Sequence, residues 1–141
     1  MSIVHSFKYI EENTAELGYT QWVEPFDKEN IPSTIIDRTF FVEFNGSSRE
    51  SQGNQTLSIR HEFEVSLFFK GYRNTKAESV AILTAAESVI QKLCGYNKTW
   101  QNINAVEFSR LELVPFDEQN NDNILVAVIT LDVVLAICLT D

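Results

Sequence analysis

The chain has 141 residues, 44% of them hydrophobic and 11% aromatic, and a formal net charge of −9 at pH 7. That length and apolar content fit one folded domain spanning residues 1–141, with enough side chain to bury a core. The acidity argues against general nucleic-acid binding, which depends on clustered Lys and Arg, yet does not exclude a wall that DNA passes without adhering, because like charges repel.

The opening MSIVHSFKYIEEN lacks a basic stretch followed by a long apolar core, so no secretory signal is expected and the cytoplasm is the default setting. In that setting Cys94 and Cys138 read as buried thiols, and the Asn-x-Ser/Thr triplets at Asn45, Asn54 and Asn97 carry no meaning. Ser2 is placed to cap a helix with the apolar stripe Ile3, Phe7, Ile10 and Leu17, ended by Gly18. Residues 19–34 are irregular: Trp22, Val23, Phe26 and Ile31 lie among charges, and Pro25 and Pro32 oppose a regular ladder. Residues 38–44 alternate Phe40, Val42 and Phe44 against Thr39, Phe41 and Glu43, which predicts a short strand. Residues 45–55 (NGSSRESQGNQ) contain nothing apolar, so a mobile hairpin tip is expected.

Residues 56–70 give the cleanest strand. Leu57, Ile59, His61, Phe63, Val65, Leu67 and Phe69 occupy one face; Thr56, Ser58, Arg60, Glu62, Glu64, Ser66, Phe68 and Lys70 lie on the other, which should be wet. Thr75-Lys76-Ala77-Glu78 is a capping box for a second helix, with stripe Ile82, Ala86, Val89, Ile90 and Leu93 and a stop at Gly95. A connector holding Trp100 leads to strands at 106–116 and 124–139, joined by the polar loop DEQNNDN. The order α, β-hairpin, α, β-hairpin predicts an α+β domain. Its sheet would be mostly antiparallel with about four strands, one of the two helices lying across a sheet face.

Two geometric expectations follow. A straight strand over residues 56–70 would be roughly 50 Å long, whereas a compact domain of this size is only about 37 Å across, so the hairpin should bend or project. The last strand is apolar on both faces, Leu125 to Leu139 in one parity and Val126, Val128 and Val134 in the other, and the apolar end is too short and too β-branched for a membrane span. Pairing Leu111 and Leu113 with its leucine row puts Val106, Phe108, Val114 and Phe116 beside Val126, Val128 and Val134. Arg110, Glu112, Thr130 and Asp132 then form a polar island, with Arg110 facing Thr130 and within reach of Asp132. A second apolar face of that kind marks a partner surface wherever the chain's own helices leave it uncovered.

No motif for catalysis or metal binding stands out, and no cofactor is expected. His61 sits in a core-facing row, and Glu62 and Glu64 alternate with Arg60 as a charge row rather than as paired catalytic carboxylates. Asp117, Glu118 and Asp122 lack calcium-loop spacing, and Gly46 and Gly53 lack the setting of a phosphate loop.

End to end, the chain resembles the tail terminator proteins of long-tailed phages, the family of the lambda minor tail protein U and related head-to-tail joining proteins. The likeness is one of pattern over nearly the whole length. It comprises the opening helix SIVHSFKYIEENTAEL, the hairpin DRTFFVEFNGSSRESQGNQTLSIRHEFEVSLFFKG, the capped helix NTKAESVAILTAAESVIQKLCG, and the hairpin AVEFSRLELVPFDEQNNDNILVAVITLDVVLAICL. The resemblance implies a non-enzymatic virion subunit, assembled in the host cytoplasm and placed at the head-proximal end of the tail. Six copies would close a ring that caps the tail tube, stops its polymerisation and offers a docking face to a head completion or neck protein, while DNA passes through the lumen unbound. Arg60, Glu62, Glu64, Phe108, Arg110, Val126, Val128, Thr130 and Asp132 are the candidates for subunit contact, and Ser48, Arg49, Glu50 and Gln52 those for tube or neck contact. The alternative is a small α+β enzyme or ligand-binding domain, with His61, Arg110 and Asp132 around a site between the helix at 75–94 and the sheet.

Overall fold

Alternation in the third strand keeps Phe63, Val65, Leu67 and Phe69 on one face of a sheet, and two helices supply the side chains that bury them. The computed structural model describes residues 3–22, 37–70, 75–95, 103–116 and 124–139. The elements in order are α1 (Ile3–Glu16), β1 (Thr20–Gln21), β2 (Thr39–Gln52), β3 (Thr56–Lys70), α2 (Lys76–Cys94), β4 (Ile103–Phe116) and β5 (Ile124–Cys138). The fold is α+β with a five-stranded mixed sheet in the order β1-β2-β3-β5-β4. The strand added to the expected four is β1, which pairs parallel to β2 through Thr20–Thr39 and Gln21–Phe40. So short a strand carries no periodic pattern of its own.

The core takes Tyr9 and Ile10 from α1 and Ile82, Ala86, Val89 and Leu93 from α2, together with Phe63 to Phe69 in alternation and the Leu125 to Leu135 row of β5. Both helices therefore contribute to the same side of the sheet. Phe7 meets Phe63 edge-on at 4.9 Å between ring centroids. The buried face of α1 includes the expected Phe7 and Ile10 but not Leu17, which lies beyond the helix end and is exposed, and it is widened by Ser6, Tyr9, Asn13 and Thr14. The Asn13 and Thr14 side chains donate to the Tyr9 and Ile10 carbonyls four residues back, which makes their burial tolerable. Gly18 at φ 95 ends the helix in the left-handed conformation.

Thr75 caps α2 by accepting a hydrogen bond from the Glu78 backbone N–H at 3.3 Å. At the other end Gly95 has an ordinary φ, but a Cβ there would stand 2.8 Å from the Gln91 carbonyl oxygen, so glycine is required for close approach. At the β1 end of the sheet Arg38, at φ 60, turns the chain into β2 and lays its guanidinium over Tyr19 and Phe69 at 5.7 and 5.8 Å.

The polar run at 45–52, expected as a mobile tip, continues β2. Its partners extend to Gln52–Leu57, and the turn closes with Gly53 N–H donating to the Thr56 carbonyl. Backbone pairing with β3 satisfies a strand whose side chains bury nothing. β3 is paired with β5 over its whole length, from Thr56–Cys138 to Lys70–Ile124. Length thus belongs to the central pair of strands as well as to the β2–β3 hairpin. Cys94 is half-buried and Cys138 exposed, against the expectation of two buried thiols. No described helix is long and apolar enough to cross a membrane. The proposed cap at Ser2, the turn at 71–74, the Trp100 connector and the loop at 117–123 lie outside the described residues.

Candidate functional site

Away from the helices, the second sheet face divides in two. Near β1, Phe68, Ile124 and Val126 are buried, with Trp22, Phe41 and Val128 against them. Phe68 and Ser66 are therefore not on a wet face, and Val126 is already covered within one chain. Toward the β2–β3 turn the face becomes polar. β2 and β3 set Glu43 opposite Glu64, β3 and β5 set Glu62 opposite Asp132, and β4 and β5 set Glu107 opposite Asp132 and Arg110 opposite Thr130. Directly opposed like charges are destabilising.

Arg60 relieves part of that repulsion. Its Nε donates to Glu50 at 2.7 Å, and its Nη1 donates to Glu107 at 2.6 Å and to Asp132 at 3.1 Å. The guanidinium of β3 thereby links carboxylates of β2, β4 and β5. The Arg60 and Asp132 side chains are 25% and 20% exposed, less than the usual surface ion pair. The hydrogen bond from Arg60 holds the Glu50 carboxyl below its usual range, and these carboxylates push the Arg60 pKa further up. Three carboxylates thus engage the Nε and Nη1 groups of Arg60.

The expected Arg110–Asp132 pair does not form. A register shift between Phe108 and Arg110 leaves Ser109 without a partner, so Phe108 faces Leu131, Glu107 faces Asp132 and Val106 packs against the helix-side core. One inserted residue exchanges the faces of the residues before it, here as far back as the second shift between Ile103 and Ala105. Arg110 bonds Glu112 of its own strand at 3.0 Å, and both are exposed. Phe108 leaves the Val126 row and stands 48% exposed. Glu64, Val128 and Thr130 are half-buried on the polar face, and the Asn45 side chain donates to Glu64 at 3.5 Å. Ser48, Arg49, Glu50 and Gln52 are exposed along outer β2.

His61 lies on the helix-side face, opposite to Arg110 and Asp132, so the three residues of the enzyme alternative do not converge. Its Nδ1 lies 2.5 Å from the Ser47 Oγ, and burial pushes its pKa below the usual value. Ser47 and His61 are direct cross-strand partners. Among the described residues no carboxylate bonds the imidazole, so the contact reads as a strand-to-strand bond rather than an activated nucleophile. Nor do the described residues bring three His, Cys, Asp or Glu side chains together to hold a metal ion.

Sequence reasoning missed Glu107, Ser47 and the exposed Phe44. Glu107 and Ser47 follow from bulges that leave no mark in composition. No known family matches the chain, and no curated protein is significantly similar to it.

Proposed function

We propose that the protein is a structural subunit of a long-tailed phage, one of six in a ring that caps the tail tube, ends its polymerisation and docks the head. The observation that supports this best is how the polar face spends its charged groups. Arg60, Glu50, Glu107 and Asp132 bind one another across four strands, which suits a surface for assembly better than one for catalysis. The sequence resemblance to tail terminators supplies the identity of the assembly. In this reading the far end of the β2–β3 hairpin, with Ser48, Arg49 and Gln52, projects toward the tube or neck protein, and α2 lies across the covered sheet face. The surplus of carboxylates keeps DNA in the lumen from adhering.

The test is native mass measurement and negative-stain imaging of the purified protein, alone and with tail tubes of the phage that encodes it. Six-membered rings seated at one end of each tube are expected. Tubes that elongate unchanged, with the protein monomeric beside them, would overturn the reading.

A further inference from the structure

Asn45 and Gly46 are the one Asn-Gly pair in the sequence, and they fall at the bulge where β2 changes register. The ladder passes from Phe44–Phe63 to Gly46–Glu62, so Asn45 has no partner residue on β3. Gly46 sits at φ 141, a conformation that side chains rarely adopt, and nothing lies within 4 Å of the position a Cβ would take there. The Asn45 side chain is exposed, and its bond to Glu64 Oε2 is 3.5 Å, longer than an ordinary N–H···O bond.

We propose that this bulge is a site of spontaneous deamidation, at which Asn45 becomes aspartate or isoaspartate and the outer end of the β2–β3 hairpin is loosened. The proposal stands apart from the ring reading. Its chemistry needs only water and hydroxide. Hydroxide takes the Gly46 amide proton, and the nitrogen attacks Asn45 Cγ to close a succinimide ring. The Cγ–Nδ2 bond breaks, and Nδ2 leaves as ammonia with a proton drawn from water. One further water opens the ring at either carbonyl. The product is aspartate, or isoaspartate with the backbone running through Cβ and Cγ.

A regular strand resists this reaction, because pairing fixes the backbone that must turn to bring nitrogen and Cγ together. Here the residue that must turn is the one without a ladder partner, and neither a side chain at 46 nor a neighbour at its Cβ position stands in the way. Asn54 supplies the contrast. It is exposed in the turn between β2 and β3, but Gln55 follows it, so the attacking nitrogen there carries a side chain beside it.

Conversion alters the hairpin in two ways. It brings a further carboxylate to Glu43 and Glu64, which already oppose each other across the strands. Isoaspartate also adds a carbon to the backbone of β2 at the point where its register is set. Beyond the bulge, β2 is held by backbone pairing, by the Ser47–His61 contact and by Glu50 on Arg60, while the side chains from 47 to 52 are exposed. Little apolar burial opposes the release of that end.

The experiment ages the full chain in warm, mildly alkaline buffer, maps its peptides by mass spectrometry and measures backbone amide exchange before and after. Asn45 should convert well ahead of Asn54 in the native protein, with loss of amide protection over residues 46–52 and none in α2. Asn45→Gln, which keeps a carboxamide but would have to close a larger ring, should keep its protection on ageing. Asn45→Asp should show the loss without ageing and lower Tm by about 1–5 °C. Conversion seen only in the urea-unfolded chain would show that the native ladder holds Asn45 in place, and would overturn the site. Conversion of Asn45 with unchanged protection of residues 46–52 would overturn the loosening.

Discussion

The hydroxyl of Tyr9 closes the end of a helix to which it does not belong. It donates to the Leu93 carbonyl at 2.5 Å, and that carbonyl lies in the last turn of α2, where the helix offers no partner of its own. Tyr9→Phe keeps the buried ring and leaves the carbonyl unsatisfied, at a cost of about 1–3 kcal/mol. For a domain of this size that corresponds to roughly 3–15 °C in Tm. Tyr9→Ala also removes the ring and should cost about 3–5 kcal/mol. Urea and thermal unfolding followed by circular dichroism measure both. Burial raises the Tyr9 pKa above its ordinary 10.0, so the unfolded chain loses this proton first as pH rises. The hydroxyl's contribution is complete below pH 10 and is lost as pH climbs through the folded-state value. The Tyr9→Phe deficit should therefore shrink in alkaline solution. A Tyr9→Phe variant within about 0.5 kcal/mol of wild type at neutral pH, the range of an inert surface change, would refute the reasoning.

Two further outcomes follow from charge. Burial lowers the His61 pKa from 6.5, so the unfolded chain takes up the proton first and stability falls as pH drops below that value; urea melts of His61→Leu from about pH 7 to about pH 5 should lose less stability than those of wild type. Arg60→Met takes the shared cation from Glu50, Glu107 and Asp132. It should lower Tm more at low than at high salt, whereas Glu62→Gln, which removes a charge opposite Asp132, should leave Tm unchanged or raised. Equal shifts for the two variants would show that Arg60 is not holding these carboxylates together.

What the sequence made legible was regular repetition. β3 has the expected bounds, and the stripe and Thr75 cap of α2 are where periodicity put them, because these elements follow their own repeat without interruption. The parity of β5 and the Arg110–Thr130 facing were legible for the same reason. What escaped was set by single residues or by the partner strand. Ser109 reverses the facing of Val106, Glu107 and Phe108, and Asn45 does the same between Phe44 and Gly46. Asp132 consequently found its cation on β3, in Arg60, rather than on β4. The end of β2 escaped because its polar side chains hide a pairing carried by backbone alone. In α1, the polar Asn13 and Thr14 broke the apolar stripe because their hydrogen bonds are made to the helix itself.

The central seam also governs how the chain reaches this state. β2 with β3, and β4 with β5, are neighbours in sequence and can pair early. β3 with β5 unites partners as distant as Thr56 and Cys138, with α2 and β4 lying between them along the chain. Closing so long a loop makes folding slow, milliseconds to seconds for sheets dominated by non-local pairing. During that wait the two most apolar strands present unpaired inner edges. Crowded subunits are therefore most prone to join through the wrong strands before the seam has closed, and the rate of that closure sets how much newly made chain is lost to aggregation.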